Sequence, residues 1–309
     1  MSRYVLKRLI ASLITLWVIV TLTFILMHSI PGGPFSYEKE LPKAIIENLN
    51  KRYHLDWPLW KQYLDYLVHL IQWDLGPSFK YESMTVNDII NKGFPVSAAL
   101  GGISLGFALV LGITAGVISA LKQYQWQDSL VMLMATLGFS VPSFILASLF
   151  IYIFSYKLHW LPAAMWGKPE QVIMPALALS ALPTAFIARM VRTTMLEVLS
   201  QDYIRTAWAK GLSGRVVILR HALKNALLPV LSYLGPLTAA ILTGSFVVEK
   251  IFGIPGMGRQ FVTSIYNRDY TTIMGVTIFY SIILILANFL VDIMYAYLDP
   301  RIKVTGEKE

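Results

Sequence analysis

Residues 193–229, TTMLEVLSQDYIRTAWAKGLSGRVVILRHALKNALLP, hold the side chains best suited to chemistry, and that chemistry is docking rather than bond making. Arg205, Lys210, Arg215, Arg220 and Lys224 stand against only Glu197 and Asp202 in an otherwise apolar half of the chain. Two helix-like pieces flank a break at residues 211–214, where glycine and serine favour a sharp turn. A polar segment this long between membrane-length runs is unlike a plain connector. The expected structure is a short helical hook into which another protein pushes. Catalytic constellations are missing from the sequence. There is no G-x-x-x-x-G-K-[ST], no H-E-x-x-H and no G-x-S-x-G. The stretch GIPGMG at 253–258 outwardly resembles a phosphate cradle but lacks the lysine, and reads as an external turn. His28, His54, His69, His159 and His221 are scattered, with no pair at metal-ligand spacing. Asp292 is the one clear acid inside an apolar run. It reads either as a structural pair near the interface or as a proton-relay group.

The hook has to be positioned by membrane helices. Of 309 residues, 56% are hydrophobic and 14% charged, against about 25% charged in a soluble domain. The mean hydropathy is +0.58. The net charge of +8 suits basic cytosolic loops. No basic soluble face for nucleic acid is apparent. With no cysteine there is neither a disulfide framework nor a thiolate metal site.

Spacing predicts six spans with both ends cytosolic, at roughly 20 helical residues per bilayer crossing. Residues 9–30 are uncharged and follow Arg3, Lys7 and Arg8. They read as an uncleaved first helix rather than a shorter signal-peptide core. Residues 94–121 form the second span, with Gly102-x-x-x-Gly106 and Gly112-x-x-x-Gly116 allowing close helix approach. The third is 128–154, kinked at Pro142. The fourth is 172–190, with Pro175 and Pro183 inside it and Arg189 and Arg192 at its cytosolic end. The fifth is 230–248, with Pro236, and the sixth is 273–298. Pro142, Pro183 and Pro236 are taken as helix breaks in spans that line a pathway. Residues 249–271 are assigned outside.

Residues 31–93 differ in kind. Within 31–95, seven basic residues face eight acidic ones, a balance suited to an external location. Two amphipathic helices are expected, one on Ile45, Ile46, Leu49 and Tyr53, the other on Leu59, Tyr63, Leu67, Leu70 and Ile71. Trp57, Trp60, Tyr63, Tyr66 and Trp73 suggest an interfacial belt. The segment reads as a lateral cap on the bundle, with a ligand-selecting lid as the sharper alternative. The chain thus divides into 1–30, the cap at 31–93, and a core at 94–309 that carries the loop 193–229.

At the hook a family resemblance emerges. DYIRTAWAKGL (202–212) and RHALKNALLP (220–229) resemble the cytosolic EAA signature of permease subunits in bacterial ATP-binding-cassette importers. Arg205-Thr206-Ala207 stands at the triplet, with Arg in place of Glu, and Gly211 at the glycine position. IPGGP (30–34), YHLDWP (53–58), DLGPS (74–78), GFPVS (93–97), GSFVVEKIFGIPGMG (244–258) and DPRI (299–302) are similar to the peptide and nickel branch, nearest its B-type permease. The resemblance implies an all-α, type I importer permease with six transmembrane helices and a small external insertion. It implies a second permease subunit, two cytosolic ATPases that bind the ATP and Mg, and an external or periplasmic peptide-binding protein, with no cofactor on this chain. It places ATPase coupling at Tyr203, Arg205, Thr206, Ala207, Ala209, Lys210, Gly211 and Leu212. The expected cargo is oligopeptide, with dipeptide, glutathione or nickel as alternatives. An ion-coupled secondary transporter is the distant rival, and its expected row of buried acids is missing.

Overall fold

The computed structural model describes residues 2–31, 33–34, 43–81 and 83–298, and the side chains of all of these except 2–5, 43–46, 292 and 294–298. Every regular element among the described residues is a helix, apart from one isolated bridge between Pro77 and Thr85. The first span is α1 (Ser2–Ser29). The cap contributes α2 (Lys43–Arg52) and α3 (Leu59–Ile71). The core then runs α4 (Val86–Leu121), α5 (Trp126–Ser140), α6 (Ser143–Phe150) and α7 (Pro169–Leu199), followed by the loop helices α8 (Asp202–Ala209), α9 (Gly214–Val216) and α10 (Leu223–Ala226). It closes with α11 (Leu228–Leu242), α12 (Phe246–Ile251), α13 (Met257–Tyr266) and α14 (Tyr270–Leu298). Two π-helical turns, Ile151–Lys157 and Val217–Ala222, extend α6 and α9. Among the described residues, five helices are long and apolar enough to cross a membrane, six if the broken α5–α6 pair counts as one span.

The centre of the fold is α4 packed along α7, with α5, α6 and α11 against α7 and with α1 and α11 against α14. Glycine makes the first contact close, but only one of the two pairs that the spacing singled out does so. A Cβ on Gly112 would lie 2.9 Å from Ile187, and one on Gly116 would lie 2.6 Å from the Ala188 carbonyl. Gly102 and Gly106 have nothing within 4 Å. Their neighbour Gly101 is the one that lies against α11, where an added Cβ would come within 2.7 Å of the Ile241 carbonyl oxygen. A G-x-x-x-G pattern fixes a helix face; which face meets a neighbour depends on where the helix lies.

Several boundaries move for local reasons. The second span begins at Val86, not 94, because Thr85 and Asp88 form a capping box. The Thr85 side chain accepts from Asp88 N at 3.1 Å, and the Asp88 carboxylate accepts from Thr85 N at 3.0 Å. The expected kink at Pro142 is a complete break. Val141 takes ψ 117° and Pro142 ψ 143°, and α5 and α6 meet at 107°. Proline both removes a donor and drives its predecessor out of the helical region. Pro183 and Pro236, by contrast, sit inside helices that continue through them. On α3 the inward face is Gln62, Tyr63, Tyr66, Leu67 and Leu70, whereas Leu59 and Ile71 point out, Ile71 at 86% exposure. Ile45, Ile46, Asp292 and the DPRI tail lie outside the described side chains.

An ion pair between a buried Asp128 and a partly buried Arg192 locks three elements where α4 ends. Arg192 donates to both carboxylate oxygens of Asp128 at 2.7 and 2.8 Å. The same carboxylate accepts from Ser119 Oγ at 2.5 Å and from Tyr124 N at 3.1 Å. Sequence alone marks Arg192 as a sign of topology; the structure makes it a clamp as well, on a partner that spacing does not point to. Asp128→Asn is expected to lower the thermal midpoint of the detergent-solubilised chain. Leaving Arg192 half-paired and partly buried costs on the order of 2–3 kcal/mol.

Candidate coupling loop and external clasp

The hook is a compact element with its own packing. Ile204 and Ala207 on the inner face of α8 are buried at 1% and 6% exposure, in one cluster with Val191, Met195, Val217, Ala222 and Ala226. Thr194 Oγ1 donates to the Ala226 carbonyl at 2.8 Å, tying α10 to α7. Asn225 donates to Tyr203 Oη at 2.8 Å. Apolar contacts and satisfied polar groups therefore fix the loop, which explains its order outside the spans.

Gly211 ends α8 in a Schellman turn. Its N–H bonds the Trp208 carbonyl at 2.9 Å, and Leu212 N–H bonds the Ala207 carbonyl at 3.4 Å. Its φ of +74° is a region that side chains disfavour, although a Cβ there would touch nothing within 4 Å. The requirement for glycine within this chain is thus conformational. Of the eight residues assigned to coupling, seven share the exposed side of the loop. Ala207 does not: it packs inward, and its small size serves the contact with this chain's own core. Arg205 pairs with Asp202 at 3.5 Å, both largely exposed, an interaction of little consequence in water. Thr206 Oγ1 caps back onto the Asp202 carbonyl at 3.0 Å. Lys210 and Ala209 are exposed.

Sequence reasoning assigned Tyr203 and Leu212 to that exposed side but missed the rest of its apolar surface, Trp208, Val216 and Leu219. Trp208 is 49% exposed, Leu219 52% and Tyr203 42%, with Leu212 and Val216 beside them. Trp208 lies over Gly214, whose absent side chain leaves room for the indole; a Cβ there would sit 3.1 Å from the ring. Only the alternation of buried Ile204 and Ala207 with exposed Tyr203 and Trp208 on a helical wheel could have found it. Exposed aromatic and aliphatic side chains ringed by cations form a typical protein-docking surface.

At the other end of the fold, residues 249–271 are anything but loose. Glu249 is fully buried. Its Oε1 accepts from Ser97 Oγ at 2.7 Å and its Oε2 from Arg259 N at 3.0 Å, while Ser97 Oγ accepts from Met257 N at 2.8 Å. Gly244, Gly256 and Gly258 wrap this carboxylate. A Cβ at Gly244 would collide with Oε1, and one at Gly256 would stand 2.5 Å from Cδ. The glycines that outwardly matched a phosphate cradle therefore cradle the chain's own carboxylate at the start of α13. Asp269 does a similar job at the start of α14. It accepts from Ser78 Oγ at 2.5 Å, Phe79 N at 3.1 Å and Thr272 Oγ1 at 2.8 Å, so it fastens the cap to the core.

Two family profiles cover these elements. One, described as the inner membrane component of binding-protein-dependent transport systems, matches residues 112–304. A companion N-terminal profile matches residues 1–101. The chain belongs to this family. Curated relatives align along almost their whole length. The dipeptide transport system permease protein DppB of Bacillus subtilis is 53% identical over 304 residues, spanning 98% of this chain and 99% of the relative. The oligopeptide transport system permease protein OppB of Haemophilus influenzae is 46% identical over 305 residues, spanning 98% and 100%. Among solved structures, an inward-facing MetNI methionine ABC transporter superposes with a TM-score of 0.57. It is 19% identical and covers 68% of this chain and 96% of that one. At that identity the match shows the fold alone, the helical core of a type I importer permease. The permease is accordingly a multi-pass inner-membrane protein, as its apolar helices require.

Proposed function

We propose that the permease is one of two similar membrane subunits that together form the translocation pathway of an ATP-driven importer for oligopeptides. Both ends of the chain and the 193–229 loop lie in the cytosol. Two ATPase subunits, which bind the ATP and Mg, dock on that loop, and a peptide-binding protein delivers cargo from outside. Closure of the ATPases around ATP moves the docked loops, and the helix bundle shifts between inward- and outward-open states. The observation that carries this reading is the loop itself: a rigid, internally packed element presenting Tyr203, Trp208, Leu212 and Leu219 to the outside. A dipeptide cargo is the second reading, favoured by the 53% identity to a dipeptide permease.

The test is uptake of a labelled pentapeptide, against a labelled dipeptide, into vesicles holding this chain with the second permease, the ATPases and the binding protein. Uptake that needs ATP inside and every subunit is expected. Uptake by this chain alone would overturn the reading. Trp208→Ala gives a sharper outcome. An anchor of this type is worth about 2 kcal/mol or more, so ATPase affinity for the membrane subunits should fall roughly 30-fold. Insertion should stay unchanged, and the thermal midpoint should fall only slightly, because half of the indole faces outward. Undiminished co-purification of the ATPases would remove Trp208 from the docking surface.

A further inference from the structure

The cap helix α3 is apolar on two faces. Its inner face meets α1 and the core. Its outer face carries Trp60, Leu64, Val68 and Ile71, exposed at 66%, 53%, 53% and 86% and spaced at helical intervals along one stripe. A helix at rest in water would not carry four large apolar groups in a row on its open side. The stripe adjoins a groove of about 280 Å³ between α3 and the outer part of α1. Ile25 of α1 and Leu59 and Trp60 of α3 form its walls.

The polar groups that line this groove already have partners. Tyr63 Oη and Thr21 Oγ1 are 2.6 Å apart, and Thr21 also donates to the Trp17 carbonyl at 2.8 Å. His28 sits between the Phe24 carbonyl at 2.8 Å and Gln62 Oε1 at 3.1 Å. Ser29 Oγ donates to the Ile25 carbonyl at 2.7 Å. The groove therefore offers surface to hydrocarbon and no unmet hydrogen bond to a polar ligand. It is also continuous with the side of α1 on which Leu22, Ile25 and Leu26 are more than half exposed, and α1 is a membrane span. At the edge, Lys61 Nζ lies 3.6 Å from the centroid of the Trp57 ring, a cation over an aromatic of the sort found at headgroup level.

We propose that the groove between α1 and α3 holds an acyl chain of a membrane lipid, and that the outer stripe of α3 lies in the same leaflet. The cap is then an interfacial element, anchored in lipid on one side and fastened to α14 through Asp269 on the other. Local lipid thickness and composition act on the external end of the permease through this helix.

The chain has no cysteine, so single labels can be placed in the full-length protein in lipid nanodiscs. Leu64→Cys and Val68→Cys, each carrying a nitroxide, should collide several-fold more with dissolved oxygen than with a water-soluble nickel chelate. Asp56→Cys, in the exposed turn before α3, should show the reverse. In lipids brominated on the acyl chain, emission quenched in the parent should be partly lost in Trp60→Phe. Nickel-accessible labels at 64 and 68 would mean a wet face and overturn the proposal. Immobile labels reached by neither reagent would mean a covering protein and overturn it too. Equal quenching in the parent and in Trp60→Phe would remove the lipid from the groove.

Discussion

Replacing Glu249 with alanine is expected to unfold the end of the permease built around α12 and α13, not to tune its transport. The carboxylate is fully buried, and both of its oxygens accept hydrogen bonds, from Ser97 Oγ and from Arg259 N. Removing it leaves the buried Ser97 hydroxyl and the part-buried Arg259 N–H without acceptors, at about 1–3 kcal/mol for a buried donor and less for a part-buried one, so the loss is on the order of 3 kcal/mol. It also leaves a hollow that Gly244, Gly256 and Gly258 have no side chains to fill. Glu249→Gln should fall between parent and alanine, because its amide must turn NH2 toward a donor on one side. Ser97→Ala should resemble it, since Met257 N then loses its acceptor. The readout is the fraction of detergent-solubilised chain that remains monodisperse after a temperature ramp. An alanine variant with the parent midpoint would show that the clasp contributes nothing.

This clasp marks where sequence reading ran short. The six-span plan was legible because it rests on length and hydropathy, which the bilayer enforces on any chain. The hook was legible because its charges interrupt that pattern. Glu249 was not, because a single acid beside glycines and a lysine looks like surface. Only tertiary contacts with Ser97, 152 residues earlier, make it interior. Asp128 and Arg192 pose the same problem, joining residues 64 apart. The side chains proposed to dock were half legible. Gly211 stands out in any reading, but the inward turn of Ala207 and the outward turn of Trp208 depend on which face of α8 meets Met195 and Val217. Proline fared in the same way. Pro142, Pro183 and Pro236 are alike in sequence, yet only at Pro142 does the chain leave the helix, with Val141 and Pro142 both extended. At Pro183 the residue is buried within the helix that packs on α4 and α5, and that packing holds the backbone through the missing hydrogen bond.

The glycine pairs of α4 separate the two kinds of knowledge by experiment. Gly116→Leu is expected to abolish the folded chain. A Cβ at 116 would lie 2.6 Å from the Ala188 carbonyl oxygen and 2.7 Å from Val191 Cβ, and neither the backbone atom nor the branched carbon can swing aside. The α4–α7 interface, the most extensive in the fold, must then open. Overpacking alone costs about 1–3 kcal/mol, and prising two helices apart also forfeits the dispersion attraction along their shared length. Gly106→Leu has the same spacing and the same change in volume but nothing within 4 Å, so the thermal midpoint of the isolated chain should not move. If both variants fold equally well, the close approach of α4 to α7 is not what holds the core together. If Gly106→Leu folds but fails to assemble with the proposed second permease subunit, the open glycine face has found its use. Within lipid there is little hydrophobic gain from bringing helices together, so stability has to come from fit. A glycine is then valuable only where another backbone comes near enough to exploit it.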